Sequence, residues 1–175
     1  MNYLEKLAAS QEYATHLPVL YSAVMETTGP VIEFGCGWFS TPLLHELVSN
    51  NGRTLISVER EDAWRSQFLQ YADVNHLFLP EGGSLESDDL HWVAERFGPF
   101  SVALIDSTPY VQRAVDLRAM LGKAEIVICH DVGYNEAGRE WSDAVAAVPD
   151  MFVFDTGLRK TGIECGDEGG DRVLR

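Results

Sequence analysis

The stretch Val31-Ile32-Glu33-Phe34-Gly35-Cys36-Gly37-Trp38-Phe39-Ser40-Thr41 passes from a short apolar run, through two glycines, into hydroxyl residues followed by Pro42. The run Val31 to Phe34 reads as a buried strand. Gly35 and Gly37 permit a sharp turn and a close approach of backbone N–H groups to a ligand. Ser40 and Thr41 suit the opening of a helix, and Pro42 suits its first turn. The unit is a strand, a turn and a helix. An ordinary tight connection also needs glycine, so the turn alone leaves ligand binding and plain structure equally open.

The same alternation continues along the chain. Apolar runs at 31–34, 54–58, 76–79, 101–105, 126–129 and 151–154 are separated by helical patterns at 41–49, 62–71, 87–96, 110–121 and 139–148. Such alternation predicts an α/β fold with a mostly parallel sheet. Right-handed crossovers gather the carboxyl ends of parallel strands at one edge, where ligands bind. Residues 1–29 read as a helical N-terminal cover with a second helix starting at Pro18, and 30–175 as the α/β core. Residues 161–165 read as a last, antiparallel edge strand, and the Gly- and Asp-rich 166–171 as a mobile segment. With 175 residues and no repeat or long linker, one domain is expected.

Hydrophobic residues at 46% and charged residues at 23% are ordinary for a folded protein. The 27 acidic and 13 basic side chains give a net charge of -14, which disfavours nucleic acid and anionic membranes as partners. No apolar run approaches membrane-spanning length and no signal-peptide pattern opens the chain, so a cytoplasmic location is expected. Cys36, Cys129 and Cys165 show no CxxC spacing and read as small buried thiols. Assembly of the chain into a homo-oligomer is left open.

Several polar residues stand at the ends of the strands. Glu59 closes the second, where an acidic side chain can accept hydrogen bonds from both hydroxyls of a ribose. Glycine turn and acidic strand end together point to a nucleoside. Asp106 closes the fourth strand, where a carboxylate can orient an acceptor, act as general base or hold a cation. His130-Asp131 closes the fifth. The loop Pro80-Glu81-Gly82-Gly83-Ser84 follows the third. His16, His45, His76 and His91 read as isolated surface or packing residues, and Trp64, Trp92 and Trp141 as helix-face packing, whereas Trp38 lies within the turn.

The series Glu33-Phe34-Gly35-Cys36-Gly37, Ser40-Thr41, Ile56-Ser57-Val58-Glu59, Ala103-Leu104-Ile105-Asp106 and Ile126-Val127-Ile128-Cys129-His130-Asp131 resembles the ordered motifs of class I S-adenosylmethionine (SAM)-dependent methyltransferases. The resemblance spans residues 30 to 131. It implies a three-layer Rossmann-like methyltransferase fold, with a mostly parallel seven-stranded sheet, a reversed last strand and helices on both faces. SAM would lie across the first two strand ends, with Glu33 and the backbone from Gly35 to Gly37 near its methionine part and Glu59 on its ribose, and Ser40 and Thr41 are further candidates to bind it. Glu81 and Ser84 would stand near the adenine. Asp106, His130 and Asp131 would face the methyl group and the acceptor.

In metal-dependent catechol-type relatives an Asp-Asn pair follows the fifth strand, where this chain has His-Asp. Asp106, His130 and Asp131 are therefore a candidate metal set better suited to a transition metal than to magnesium. With no metal, His130 could act as the general base. The expected function is SAM-dependent methyl transfer to a small-molecule oxygen or nitrogen nucleophile. The rival from another class is a non-catalytic nucleoside-binding or assembly module. A nicotinamide-dependent oxidoreductase is disfavoured by Ser40 in the third glycine position and by the lack of a Tyr-x-x-x-Lys pair.

Overall fold

The computed structural model of the chain describes residues 14–80, 89–132, 138–148, 152–155 and 160–165. Seven strands, β1 (Val31–Phe34), β2 (Leu55–Val58), β3 (His76–Leu79), β4 (Phe100–Ile105), β5 (Ala124–His130), β6 (Phe152–Asp155) and β7 (Lys160–Cys165), form one sheet in the order β3-β2-β1-β4-β5-β7-β6. The helices are α1 (Leu17–Glu26), α2 (Ser40–Leu47), α3 (Asp62–Arg65), α4 (Asp89–Phe97), α5 (Tyr110–Met120) and α6 (Gly138–Ala146).

Parallel pairing joins β3, β2, β1, β4 and β5, so it covers five strands rather than all seven. β7 runs antiparallel to β5 on one side and to β6 on the other. The reversed strand 160–165 is thus interior to the sheet, and β6 forms the edge that the sequence assigns to 161–165. The few residues between β6 and β7 are too few for a parallel crossover, so the two can neighbour each other only as antiparallel strands.

Strand periodicity divides the core in two. Ile32, Phe34, Ile56, Val58, Ala103, Ile105, Val127 and Cys129 pack with Ala114, Leu117 and Met120 of α5 and Trp141 and Ala144 of α6. Val31, Leu55, Val102, Leu104, Ile126 and Ile128 pack on the opposite face with Val19, Leu20, Ala23 and Val24 of α1 and Leu44 of α2. Glu33, Ser57, Asp106 and His130 continue the second series by steps of two, so their side chains fall on the face that α1 and α2 cover.

Pro18 stands in the first turn of α1, as expected from its missing N–H and its fixed φ. The first half of the N-terminal cover and the 166–171 segment lie outside the described residues. The expected helix 62–71 is broken into α3 and a 3₁₀ turn, Leu69–Tyr71. Bonds from Gln67 N to Trp64 O and from Phe68 N to Arg65 O replace the four-residue helical step and turn Phe68 inward, fully buried. Trp92, expected to pack, is half exposed, whereas Trp141 is fully buried. No helix among the described residues is long and apolar enough to cross a membrane.

Candidate functional site

Sheet order reverses between β1 and β4, since the chain leaves β1 for β2 on one side and later returns to lay β4 on the other. The carboxyl ends of these two strands flank the crevice where open α/β sheets bind ligands. Gly35 leaves β1 with φ +91°, and a Cβ there would lie 2.5 Å from the Asp106 carbonyl oxygen. Glycine is needed at this position first for contact between the two strand ends. Gly37 N–H donates to Thr41 Oγ1 at 3.0 Å, and Thr41 N–H returns to the Gly37 carbonyl at 3.2 Å.

Side chains from the next crossover clamp the turn. Glu59 accepts the Cys36 N–H at 3.1 Å on one oxygen and the Glu61 N–H at 2.9 Å on the other. Trp64 Nε1–H donates to the Cys36 carbonyl at 2.7 Å. Trp38 packs against Trp64 and Phe68, with ring centroids 5.9 and 4.9 Å away. Burial, reinforced by Glu33 and Glu59, pushes the Cys36 thiol far up, which leaves it inert as a nucleophile.

Glu33 is fully buried in β1 and accepts hydrogen bonds from Ser40 Oγ at 3.1 Å and Ser57 Oγ at 2.5 Å. Burial pushes its carboxyl up to about 7 in spite of those donors. Its carboxylate braces the turn from behind, through Ser40. Ser40 and Thr41 are likewise buried, with their hydroxyls engaged inside the turn. Glu81 and Ser84 lie outside the described residues.

The second group forms where β4 and β5 end. Ile105 and Cys129 are register partners, so Asp106 and His130 adjoin one step further on. His130 Nδ1 lies 3.1 Å from Asp106 Oδ1, and its Nε2 lies 3.1 Å from Thr15 Oγ1. Arg113, from α5, ties the two strand ends together. Its guanidinium meets Asp106 Oδ1 at 2.7 Å and Asp131 Oδ2 at 3.4 Å, and donates to the carbonyls of Ser107 and His130 at 2.6 and 2.9 Å. The Tyr110 ring packs 4.5 Å from that guanidinium. Burial would raise the Asp106 carboxyl, but the charges of His130 and Arg113 hold it well below the usual carboxylate range. Asp131 adopts φ +61°, an uncommon value for a non-glycine residue, which turns its carboxylate toward Arg113 and Tyr110.

His16 completes this group. It precedes α1, is 2% exposed, and its ring lies edge-on to that of His130 with centroids 4.4 Å apart. Neither ring nitrogen has a hydrogen-bond partner among the described residues. Leaving such a group unsatisfied costs about 1–3 kcal/mol. Burial, with a smaller contribution from His130, lowers His16 to about 4, so the ring is neutral near neutral pH.

Asp106, His130 and Asp131 therefore come together as expected, and Glu33, Gly35, Gly37, Ser40, Thr41 and Glu59 meet at the turn. Thr15, His16 and Arg113 join the site unannounced by the sequence. Arg113 carried one signal, because a basic residue on the inward face of a helix needs a buried acid. His16 carried none, since only the docking of α1 brings it to β5. His45 and His76, expected to stand alone, approach each other with Nδ1 atoms 3.1 Å apart.

No protein-family model matches the chain, and no curated protein does either. Among solved structures it is similar to the Rv0187 protein of MTB in its cofactor-bound form, with TM-score 0.65, 16% identity and coverage of 95% of this chain and 90% of that one. The Podospora anserina methyltransferase PaMTH1 bound to SAH gives TM-score 0.64 and 14% identity, covering 85% and 76%. The Bacillus cereus O-methyltransferase in complex with SAH gives TM-score 0.58 and 16% identity, covering 88% and 78%. The chain has the fold of the class I SAM-dependent methyltransferases.

Proposed function

We propose that the protein binds SAM at the Gly35–Gly37 turn and transfers its methyl group to an oxygen or nitrogen nucleophile of a small molecule. The observation that carries this reading is the pairing of two polar groups across one topological switch point. The glycine turn and Glu59 stand at β1 and β2, and Asp106 and His130 at β4 and β5. Each Glu59 oxygen accepts one backbone N–H and keeps a second lone pair for a ribose hydroxyl.

Asp106, about one-fifth exposed, is the member of its group that meets the acceptor. Held ionised, it is a weak base, so it orients the acceptor hydroxyl or amine while His130 behind it fixes the carboxylate in place. Methyl transfer itself needs in-line positioning more than any covalent step. One protein of similar structure is the 16S rRNA methylase ArmA. A net charge of -14 supports a small acceptor here.

A second reading, binding without turnover, draws on the cover over His130, which is 2% exposed and touched by Thr15. Isothermal titration with SAM and SAH tests the shared part. Binding in the micromolar range is expected, weakened at least tenfold by Glu59→Ala; no binding of either at millimolar concentration overturns the proposal. Transfer of labelled methyl to a panel of hydroxyl and amine acceptors then separates enzyme from binder.

A further inference from the structure

We infer that His16, Asp106 and His130 form a binding site for a divalent transition-metal ion such as zinc, cobalt or ferrous iron. One ligand atom from each of the three residues lies within 4.8 Å of the other two, the one such convergence among the described residues. Asp131 is not part of it: its Oδ2 meets Arg113 and Tyr110, and its Oδ1 lies 3.6 Å from His130 Nε2, the ring nitrogen that does not face Asp106. This differs from the set that the sequence suggests by exchanging Asp131 for a histidine from the N-terminal cover.

The donors fit a cation in kind and spacing. Two imidazoles and one carboxylate suit zinc or ferrous iron and suit magnesium or calcium poorly. His130 Nδ1 and Asp106 Oδ1 are 3.1 Å apart. Two bonds of about 2.1 Å to one tetrahedral ion subtend an edge of roughly 3.4 Å, so both atoms can share an ion after a shift of a few tenths of an ångström. The ion would replace the proton they now share.

The independent observation is His16. Its ring is buried against that of His130, and neither nitrogen has a hydrogen-bond partner among the described residues. A third ligand with no other use is what a metal site requires and what simple packing does not. Second-shell support is also present, since His130 Nε2 meets Thr15 Oγ1 and Arg113 meets the same Asp106 oxygen, Oδ1, that faces His130. Three protein ligands would leave the ion able to take a further oxygen ligand, whose proton it would make more acidic.

The inference stands without the SAM reading, because it needs none of the residues of the glycine turn. The test is titration of the full-length protein with Co²⁺ and with Zn²⁺, followed by cobalt absorption and by calorimetry. One ion per chain is expected, with the intense visible bands of a four-coordinate nitrogen-ligated cobalt site, resistant to excess Mg²⁺. His16→Ala and His130→Ala should each weaken binding by more than the 10–100-fold that loss of a second-shell partner costs. His45→Gln, in the other histidine pair, should leave it unchanged. Long-range proton–nitrogen spectra of the wild-type histidine rings, in which only His16 and His130 should shift with Zn²⁺, keep the test independent of how the variants fold. Absence of one-to-one binding, binding lost in His45→Gln, or affinity unchanged in His16→Ala overturns the inference. Metal binding without SAM binding would sink the methyl-transfer proposal alone, and the reverse would sink this one alone.

Discussion

Ser57 donates a 2.5 Å hydrogen bond to Glu33 Oε1 from the position directly opposite it in β2. The contact is the inner end of a relay, because His76 Nε2 lies 2.7 Å from the same hydroxyl and His45 Nδ1 lies 3.1 Å from His76 Nδ1. Ser57 has one proton and gives it to Glu33. His76 must then donate from Nε2 and accept at Nδ1, which assigns its tautomer and makes His45 a donor. Burial, with His45 beside it, lowers His76 to about 4, in keeping with that neutral ring.

Glu33 should make stability fall as pH rises. Burial raises its carboxyl from 4.5 to about 7, so within that window the folded state holds a proton that the unfolded state has released. His16 and His76 act in the opposite sense. Lowered from 6.5 to about 4, they bind protons more readily in the unfolded state, and their contribution to stability is lost as pH falls through that range. Glu33→Gln removes only the first effect. Its melting temperature relative to wild type should climb steadily from pH 4.5 to 7 in thermal unfolding, and a difference independent of pH would show that Glu33 titrates normally.

Gly35→Ala should destabilise the protein by at least about 3 kcal/mol, from a strained positive φ combined with a clash against rigid backbone. The new Cβ would stand 2.5 Å from the Asp106 carbonyl oxygen and 2.7 Å from its carbon. Gly37→Ala meets only Ser40 Oγ, at 3.1 Å, and φ is not positive there, so roughly 1 kcal/mol is expected. Chemical denaturation of the two variants checks the order. Equal losses would mean that contact between the β1 and β4 ends does not decide the first glycine.

Arg113→Ala leaves the carboxylates of Asp106 and Asp131 without their shared cation, and removal of one partner from a buried ion pair costs about 3–5 kcal/mol. Arg113→Lys keeps the charge but cannot reach two carboxylates and two carbonyls with one ammonium. It should recover less than half of the loss in urea unfolding. Full recovery by lysine would reduce Arg113 to a point charge.

The sheet was legible because each parallel strand is a short, mostly apolar run bounded by glycine, proline or charge. β1 and β3 fall on the expected residues, and β2, β4 and β5 differ only at their ends. The strand-end residues Glu59, Asp106, His130 and Asp131 were legible for the same reason, since the last residue of a parallel strand must lie at the ligand edge. Helix ends and the break after α3 were less so, because inward-turned Arg65 and Phe68, rather than propensity, shorten that helix. The inner position of β7 was hidden, since a run of strand-forming residues does not declare its neighbours.

By itself the sequence determined the order of strands and helices, the glycine turn and the polar residues that close each strand, because these follow from local sterics and from the burial of alternate side chains. Only the tertiary structure decided that His16 meets His130, that His45 meets His76, and that Arg113 joins Asp106 to Asp131. Those contacts link residues far apart in the chain, and they exist because α1, α2 and α5 dock on faces of the sheet that strand pairing creates.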